Sequence, residues 1–240
     1  MKARLIEIFA SVQGEGLWVG KPQVFIRFHG CKLKCDYCDT PLTHHQIKSC
    51  RIEYPPFSKQ FTVRDLECDL IQLDAEIARF GIKSLALTGG EPLEQADFIR
   101  HWLSKTTENY EVLLETSGIE SENLGKILKY LSIISMDIKI PSATHEKPYW
   151  KEHDVFLRTA AQTPAYLKIV YDENISDDEI NKIYEILNAH PQIMAAIFQP
   201  LSPIQKRDVK KCLEIYWRFA SQFPQKVRLI PQMHKFLNVL

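Results

Sequence analysis

No stretch of this sequence supplies the roughly 20 consecutive apolar residues that a membrane-spanning helix needs. The charged start Met1-Lys2-Ala3-Arg4 runs into Glu7 rather than an uninterrupted signal core. A soluble, unsecreted, cytoplasmic chain without a membrane partner is therefore expected. Neither charge is in excess: 30 basic and 30 acidic residues give a formal net charge of +0. The broad positive field that drives non-specific nucleic-acid binding is missing, which argues against a direct nucleic-acid partner. Cysteine is too scarce, at 6 in 240 residues, for a disulfide scaffold. Repeats, low-complexity tracts and an interdomain linker are also lacking, so residues 1–240 read as a single domain. With 45% hydrophobic and 25% charged residues the chain can bury a sizeable core, which excludes disordered and fibrous classes.

What is there is an alternation of short β-rich runs with longer segments of helical period, the signature of a mostly parallel sheet covered by helices. Strands are predicted at residues 23–29, 84–88, 111–115, 133–137, 166–171, 195–199 and 227–231. Helical spacing appears at Leu124, Ile127, Leu128 and Leu131, and again at Ile180, Ile183, Tyr184 and Leu187. Ser176 and Glu179 form a capping-box pair ahead of the second set. Residues 66–80 and 209–219 pass the same helical test. Residues 44–60, aperiodic and carrying adjacent Pro55 and Pro56, read as a loop, as do residues 141–148. The β/α steps fall short of the eight of a closed barrel. The fold class is accordingly α/β, an incomplete (partial) β/α barrel with about six parallel strands, in preference to a doubly wound sheet. Function then belongs at the carboxyl ends of the strands, and polar motifs lie there: His29-Gly30-Cys31, Thr88-Gly89-Gly90-Glu91, Glu115-Thr116-Ser117-Gly118, Asp137-Ile138-Lys139 and Gln199-Pro200.

Cys31, Cys35 and Cys38 put three thiols on one short loop, with Gly30 allowing the turn ahead of them. Structural zinc sites usually close with four ligands, whereas an iron-sulfur cluster held by three cysteines leaves one iron open. Spacing leaves both readings standing, because His44, His45 or Cys50 could complete a zinc site. Three core thiols are a poor fit beside Lys32, Lys34 and Asp36. Cys68 and Cys212 in helical segments, and Cys50 in a loop, read as ordinary residues.

The Cys31-x3-Cys35-x2-Cys38 loop after a first barrel strand resembles that of the radical S-adenosylmethionine enzymes. Further motifs narrow the likeness: Ser11-Val12-Gln13-Gly14-Glu15-Gly16, Cys38-Asp39-Thr40, Thr88-Gly89-Gly90-Glu91-Pro92, Glu115-Thr116-Ser117-Gly118 and the ending Gln232-Met233-His234-Lys235-Phe236-Leu237-Asn238. Together they are similar to the 7-carboxy-7-deazaguanine synthase family of the queuosine pathway, over essentially the whole chain. The resemblance implies a 4Fe-4S cluster on Cys31, Cys35 and Cys38, S-adenosylmethionine chelating the open iron, and reductive cleavage of its sulfonium to a deoxyadenosyl radical. It implies a lyase acting on 6-carboxy-5,6,7,8-tetrahydropterin with loss of ammonia, an electron donor such as flavodoxin or ferredoxin, and a homodimer.

The resemblance assigns cofactor contacts to Asp39, Gly89, Gly90, Glu91, Ser117, Asp137, Lys139 and Gln199, although many relatives carry Ser-Pro-Lys where this chain has Asp137-Ile138-Lys139. It assigns substrate contacts to Gln13, Glu15, Arg27, Thr88, Glu115, His234 and Leu240, the last through a terminal carboxylate, and Mg2+ to Thr40. Elementary chemistry is consistent with several of these roles. Carboxylates such as Glu15 and Glu115 accept from the amino and ring N–H groups of a pterin edge. An Arg27 that alternates with Phe25 on a strand needs an anionic partner, either the substrate carboxylate or, structurally, Glu7 or Glu15. A turn between Gly14 and Gly16 would equally account for Glu15, a strand-to-helix turn for the double glycine, and a core position for His234. Two other function classes use the same loop: an activase that installs a glycyl radical in a partner protein, and a zinc-stabilised RNA-binding module. The lack of a basic, aromatic face weighs against the latter.

Overall fold

The computed structural model describes residues 1–106 and 109–239. Among them, eleven strands make one sheet: β1 (Lys2–Val12), β2 (Pro22–Phe28), β3 (Ser49–Glu53), β4 (Phe61–Asp65), β5 (Glu67–Asp69), β6 (Ser84–Gly89), β7 (Glu111–Thr116), β8 (Ile133–Ile138), β9 (Ala165–Tyr171), β10 (Ala196–Pro200) and β11 (Val227–Leu229). Their order is β11-β10-β9-β8-β7-β6-β2-β1-β3-β4, with β5 beside β1. From β2 through β6 to β11 every neighbouring pair is parallel, a run of seven strands where about six were expected. β1 then pairs antiparallel with β2. The two ends of the sheet, β4 and β11, do not meet, as an incomplete barrel requires.

Seven helices lie between strands, α1 (Leu70–Ala78), α2 (Ala96–Leu103), α3 (Ser121–Ile127), α4 (Pro141–Thr144), α5 (Trp150–Thr159), α6 (Asp177–Ala189) and α7 (Val209–Gln222), and α8 (Met233–Leu237) follows β11. α6 begins at the Ser176/Glu179 capping box that the sequence announces, each side chain taking the other's backbone N–H.

The structure adds β4, α2 and α5, on which the sequence reading made no prediction, and departs from it at four further segments. β1 carries no clear alternation because Leu5 to Ser11 are buried on both faces, as happens to a strand inside a sheet. Residues 49–53 lie within the expected loop but form β3, whose short pattern is fixed by pairing with β1 and β4 rather than by local propensity. The helix expected from residue 66 starts only at Leu70, since residues 67–69 pair with β1 as β5. Cys50 and Cys68 consequently sit in strands, not in a loop and a helix. Pro141–Thr144 makes a short helix inside the second expected loop, with Pro at its start, where a missing N–H costs nothing.

Strand side chains alternate between two cores. One face gives Val24, Ile26, Leu85, Leu87, Val112, Leu114, Ile134, Met136, Leu167 and Ile169 to the large core shared with the helices. The opposite face gives Phe9, Phe25, Ala86, Leu113, Ile133, Tyr166 and Ile197 to a smaller cluster, in which Phe9 and Phe25 stack with ring centroids 5.0 Å apart. Burying one such aromatic or aliphatic side chain contributes roughly 1.5–3 kcal/mol, so this apolar layer is a firm floor.

Candidate active site

One period of two beyond that floor, the same face turns polar. Phe25 is followed by Arg27, Ala86 by Thr88, Leu113 by Glu115, Tyr166 by Lys168 and Ile197 by Gln199, and β8 adds Asp137. Strand pairing holds them level, with Arg27 opposite Thr88 and Asp137 opposite Lys168. All six line a cavity of ≈ 1300 Å³, counting the space at its open mouth.

Cys31, Cys35 and Cys38 project into the same cavity from the loop after β2, half-buried, whereas Cys50, Cys68 and Cys212 are buried elsewhere. Burial pushes the Cys31 thiol up to about 12 and raises those of Cys35 and Cys38, while nearby Lys139 draws all three down. Such thiols become thiolates when a metal takes the place of their protons. The loop is anchored from behind by the double glycine: Gly90 N donates to Phe28 O at 2.9 Å and Glu91 N to Gly30 O at 2.8 Å. Gly30 and Gly89 adopt φ of 107° and 108°, where a side chain is strained.

The wall has two incomplete places. Tyr37 Oη and Gln199 Oε1 are buried on it without a protein hydrogen-bond partner, which fits a surface that a polar ligand completes. Glu91, expected to face the cofactor, instead takes four donors from the protein: Leu93 N at 3.1 Å, Thr116 Oγ1 at 2.9 Å, Ser117 N at 2.8 Å and Ser117 Oγ at 2.6 Å. It fixes the Ser117 turn and is not on the cavity wall. His153 on α5 does the same for two strand ends, accepting from Lys139 N and donating to Gly118 O, both at 3.1 Å.

Four charges cross the cavity. Lys139 Nζ lies 2.9 Å from Asp137 Oδ2, Asp137 Oδ1 lies 3.2 Å from Lys168 Nζ, and Lys168 is ion-paired with Glu15. Burial alone would lower both ammonium groups, but Asp137, joined by Tyr37 and Cys35 at Lys139 and by Glu15 and Glu115 at Lys168, holds them well above their ordinary value. Burial works on the carboxylates in the other direction. Lys168 overrides it at Glu15, which stays below the usual range, whereas at Glu115 burial wins and the carboxyl is raised. Glu115 is met by Gln13 Nε2 at 3.0 Å and Thr88 Oγ1 at 2.7 Å.

Arg27 reaches both toward its structural partner and into the cavity: Nε lies 3.5 Å from Glu7 Oε2, and Nη1 donates to Thr40 Oγ1 at 2.9 Å. Thr40, the expected Mg2+ ligand, is buried off the cavity wall with its hydroxyl between Arg27 and Asp39 Oδ1. Asp39, Glu15 and His234 each bring one ligand atom within 4.8 Å of the others, the donor group among the described residues best placed for a cation. His234 is held over Gly14 by the bond from Met233 N to Gly14 O at 2.9 Å. Of the expected site residues, Leu240 lies outside the described residues, Glu91 and Thr40 stand behind the wall, and the others line the cavity. Lys168 escaped the sequence reading, although a lysine in the apolar run of β9 is the same signal that singled out Arg27.

The chain matches the Radical SAM superfamily over residues 25–186. It is 38% identical to 7-carboxy-7-deazaguanine synthase of Geobacter sulfurreducens, covering 99% of this chain and 98% of that protein. It is 33% identical to the enzyme of the same name from Archaeoglobus fulgidus over 100% of both. Among solved structures, QueE from Escherichia coli superposes with a TM-score of 0.61 at 18% identity, covering 95% of this chain and 94% of that one. Streptococcus suis SuiB bound to S-adenosylmethionine gives 0.53 at 15% identity, covering 85% of this chain and 45% of that one. Both superpositions carry the fold alone. Similarity this high from end to end means that the chain belongs to the 7-carboxy-7-deazaguanine synthase family of radical SAM enzymes, whose chemistry uses a 4Fe-4S cluster and S-adenosylmethionine.

Proposed function

We propose that this cavity converts 6-carboxy-5,6,7,8-tetrahydropterin to 7-carboxy-7-deazaguanine, releasing ammonia. The observation that carries the reading is the polar ring itself: a guanidinium, Arg27, and two carboxyl groups, Glu15 and Glu115, face one cavity beside the three-cysteine loop. Arg27 suits the substrate carboxylate, because its planar fork can bind two oxygens while Glu7 retains a second cation in Arg51, at 2.7 Å. Glu15 and Glu115 suit the aminopyrimidinone edge, with Gln13 and Thr88 orienting Glu115. Cluster and S-adenosylmethionine, when bound, supply the hydrogen-abstracting radical chemistry. Cys31, Cys35 and Cys38 would hold the iron, Gly89 and Gly90 would let backbone approach the methionyl group, and Ser117, Asp137, Lys139 and Gln199 would offer polar contacts. Asp39, on the cavity wall, suits a Mg2+ ion that shares oxygens from substrate and water, whereas Thr40 would have to give up its bonds to Arg27 and Asp39 to join it.

An external one-electron donor of the flavodoxin or ferredoxin kind, a cytoplasmic location and a homodimer complete the proposal. The test is anaerobic reconstitution with iron and sulfide, then incubation with S-adenosylmethionine, a reductant and the tetrahydropterin. A deazaguanine chromophore should form with the cofactor regenerated. A reaction that consumes the cofactor and requires a protein substrate would instead point to an activase.

A further inference from the structure

Lys168 projects from the middle of β9 and is buried on the cavity wall. Its ammonium group is shared between Glu15 and Asp137, and Asp137 is shared in turn with Lys139. A buried carboxylate is tolerated where a cation and further hydrogen bonds meet it, and Glu15 has both: Lys168 at Oε2 and Gln232 Nε2 at Oε1, 2.7 Å away. Glu115 is served differently, by the neutral donors Gln13 and Thr88. The two carboxyl groups of the ring are thus unequal, and Lys168 makes them so.

We propose that Lys168 is a positioning residue that sets substrate specificity by fixing Glu15 as the acceptor for the amino edge of an aminopyrimidinone ring. This rests on the pterin reading above and names what selects within it. Each oxygen of Glu15 already accepts one bond from the protein and keeps a second lone pair. The two remaining acceptor sites match an exocyclic amine beside a ring N–H. A ring with oxygen in place of that amine would set acceptor against acceptor and be rejected, since a buried polar group left unpaired costs more than a missing contact. Without Lys168 the carboxylate loses the partner that anchors Oε2, and the discrimination goes with it.

Two stable probes separate the possibilities: 6-carboxypterin and 6-carboxylumazine, which differ at this edge. Titration calorimetry on the anaerobically reconstituted enzyme should show wild type preferring the pterin by about tenfold or more. The Lys168→Met, Asp137→Asn pair removes one charge of each sign, so the buried cluster stays neutral. It should bind both probes within about threefold of each other, while Lys168→Arg keeps the preference. Should the pair fail to fold, Lys168→Ala, which removes the partner of Oε2 and leaves its place to water, carries the same test. A folded variant lacking the Oε2 partner that still discriminates as wild type does overturns the inference, as does a wild type that binds both probes equally. Wild type that binds neither probe and does not turn over the tetrahydropterin overturns the pterin reading, and this inference with it.

Discussion

Gly90 backs directly onto Gly30: a β-carbon on Gly90 would lie 2.0 Å from the Gly30 carbonyl oxygen and 2.2 Å from Thr43 Oγ1. Two motifs that are 60 residues apart in sequence thereby act as one, because the double-glycine turn is the back wall of the cysteine loop. Gly90→Ala should displace that loop and abolish iron incorporation, read as the loss of cluster absorbance in a chain that still folds by circular dichroism. Gly125, with nothing within 4 Å of its added β-carbon and a helical position in α3, is the control. Gly125→Ala should keep the cluster and raise stability by about 0.5–1 kcal/mol.

The cysteines divide into two sets. Cys31→Ala, Cys35→Ala and Cys38→Ala should each abolish cofactor cleavage and lower bound iron, since the open-iron arrangement needs all three thiolates. Cys50→Ala, Cys68→Ala and Cys212→Ala should keep a full cluster and lose only about 1 kcal/mol of packing. Iron assays and denaturant melts separate the two classes of effect.

Arg27→Lys should raise the substrate KM by about tenfold or more while cofactor cleavage without substrate persists, because an ammonium cannot reproduce the guanidinium fork. The melting temperature should change little, for Glu7 still has Arg51 at 2.7 Å. An unchanged KM would leave Arg27 with its structural partners alone.

His153 is fully buried as a neutral ring, and burial pushes its imidazole down to about 4 from an ordinary 6.5. Between those values the unfolded chain holds a proton that the folded one does not, so the His153 contribution to stability falls as pH drops from about 6.5 and levels off, its loss complete, below about 4. Near pH 5 the loss from this group should be about 2 kcal/mol. His153→Gln should start about 1–2 kcal/mol less stable near neutrality, having lost one of two buried hydrogen bonds, yet decline less steeply with acid. Urea melts at both pH values give the comparison.

The parts of the site that sequence could supply are those whose signal is local. Three thiols within one turn and polar residues at strand ends announce themselves whatever surrounds them. Arg27 stood out because its strand is otherwise apolar, and Lys168 stands in an equally apolar strand. A lysine stem lies along hydrophobic surface so readily that its charge is easily discounted there. Glu91 shows the opposite limit. Its place in the motif is plain, but its partners Thr116 and Ser117 come from the end of the neighbouring strand, and only the fold shows that it turns inward to them. β1 and β3 were missed for kindred reasons, one being covered on both sides and the other made a strand by its neighbours.

The aromatic and aliphatic layer under the polar ring keeps water from the inner side of those charged groups. With solvent held to one side, each charge there is felt by its neighbours more strongly than it would be in bulk water, and the ring answers any one substitution as a single electrostatic unit.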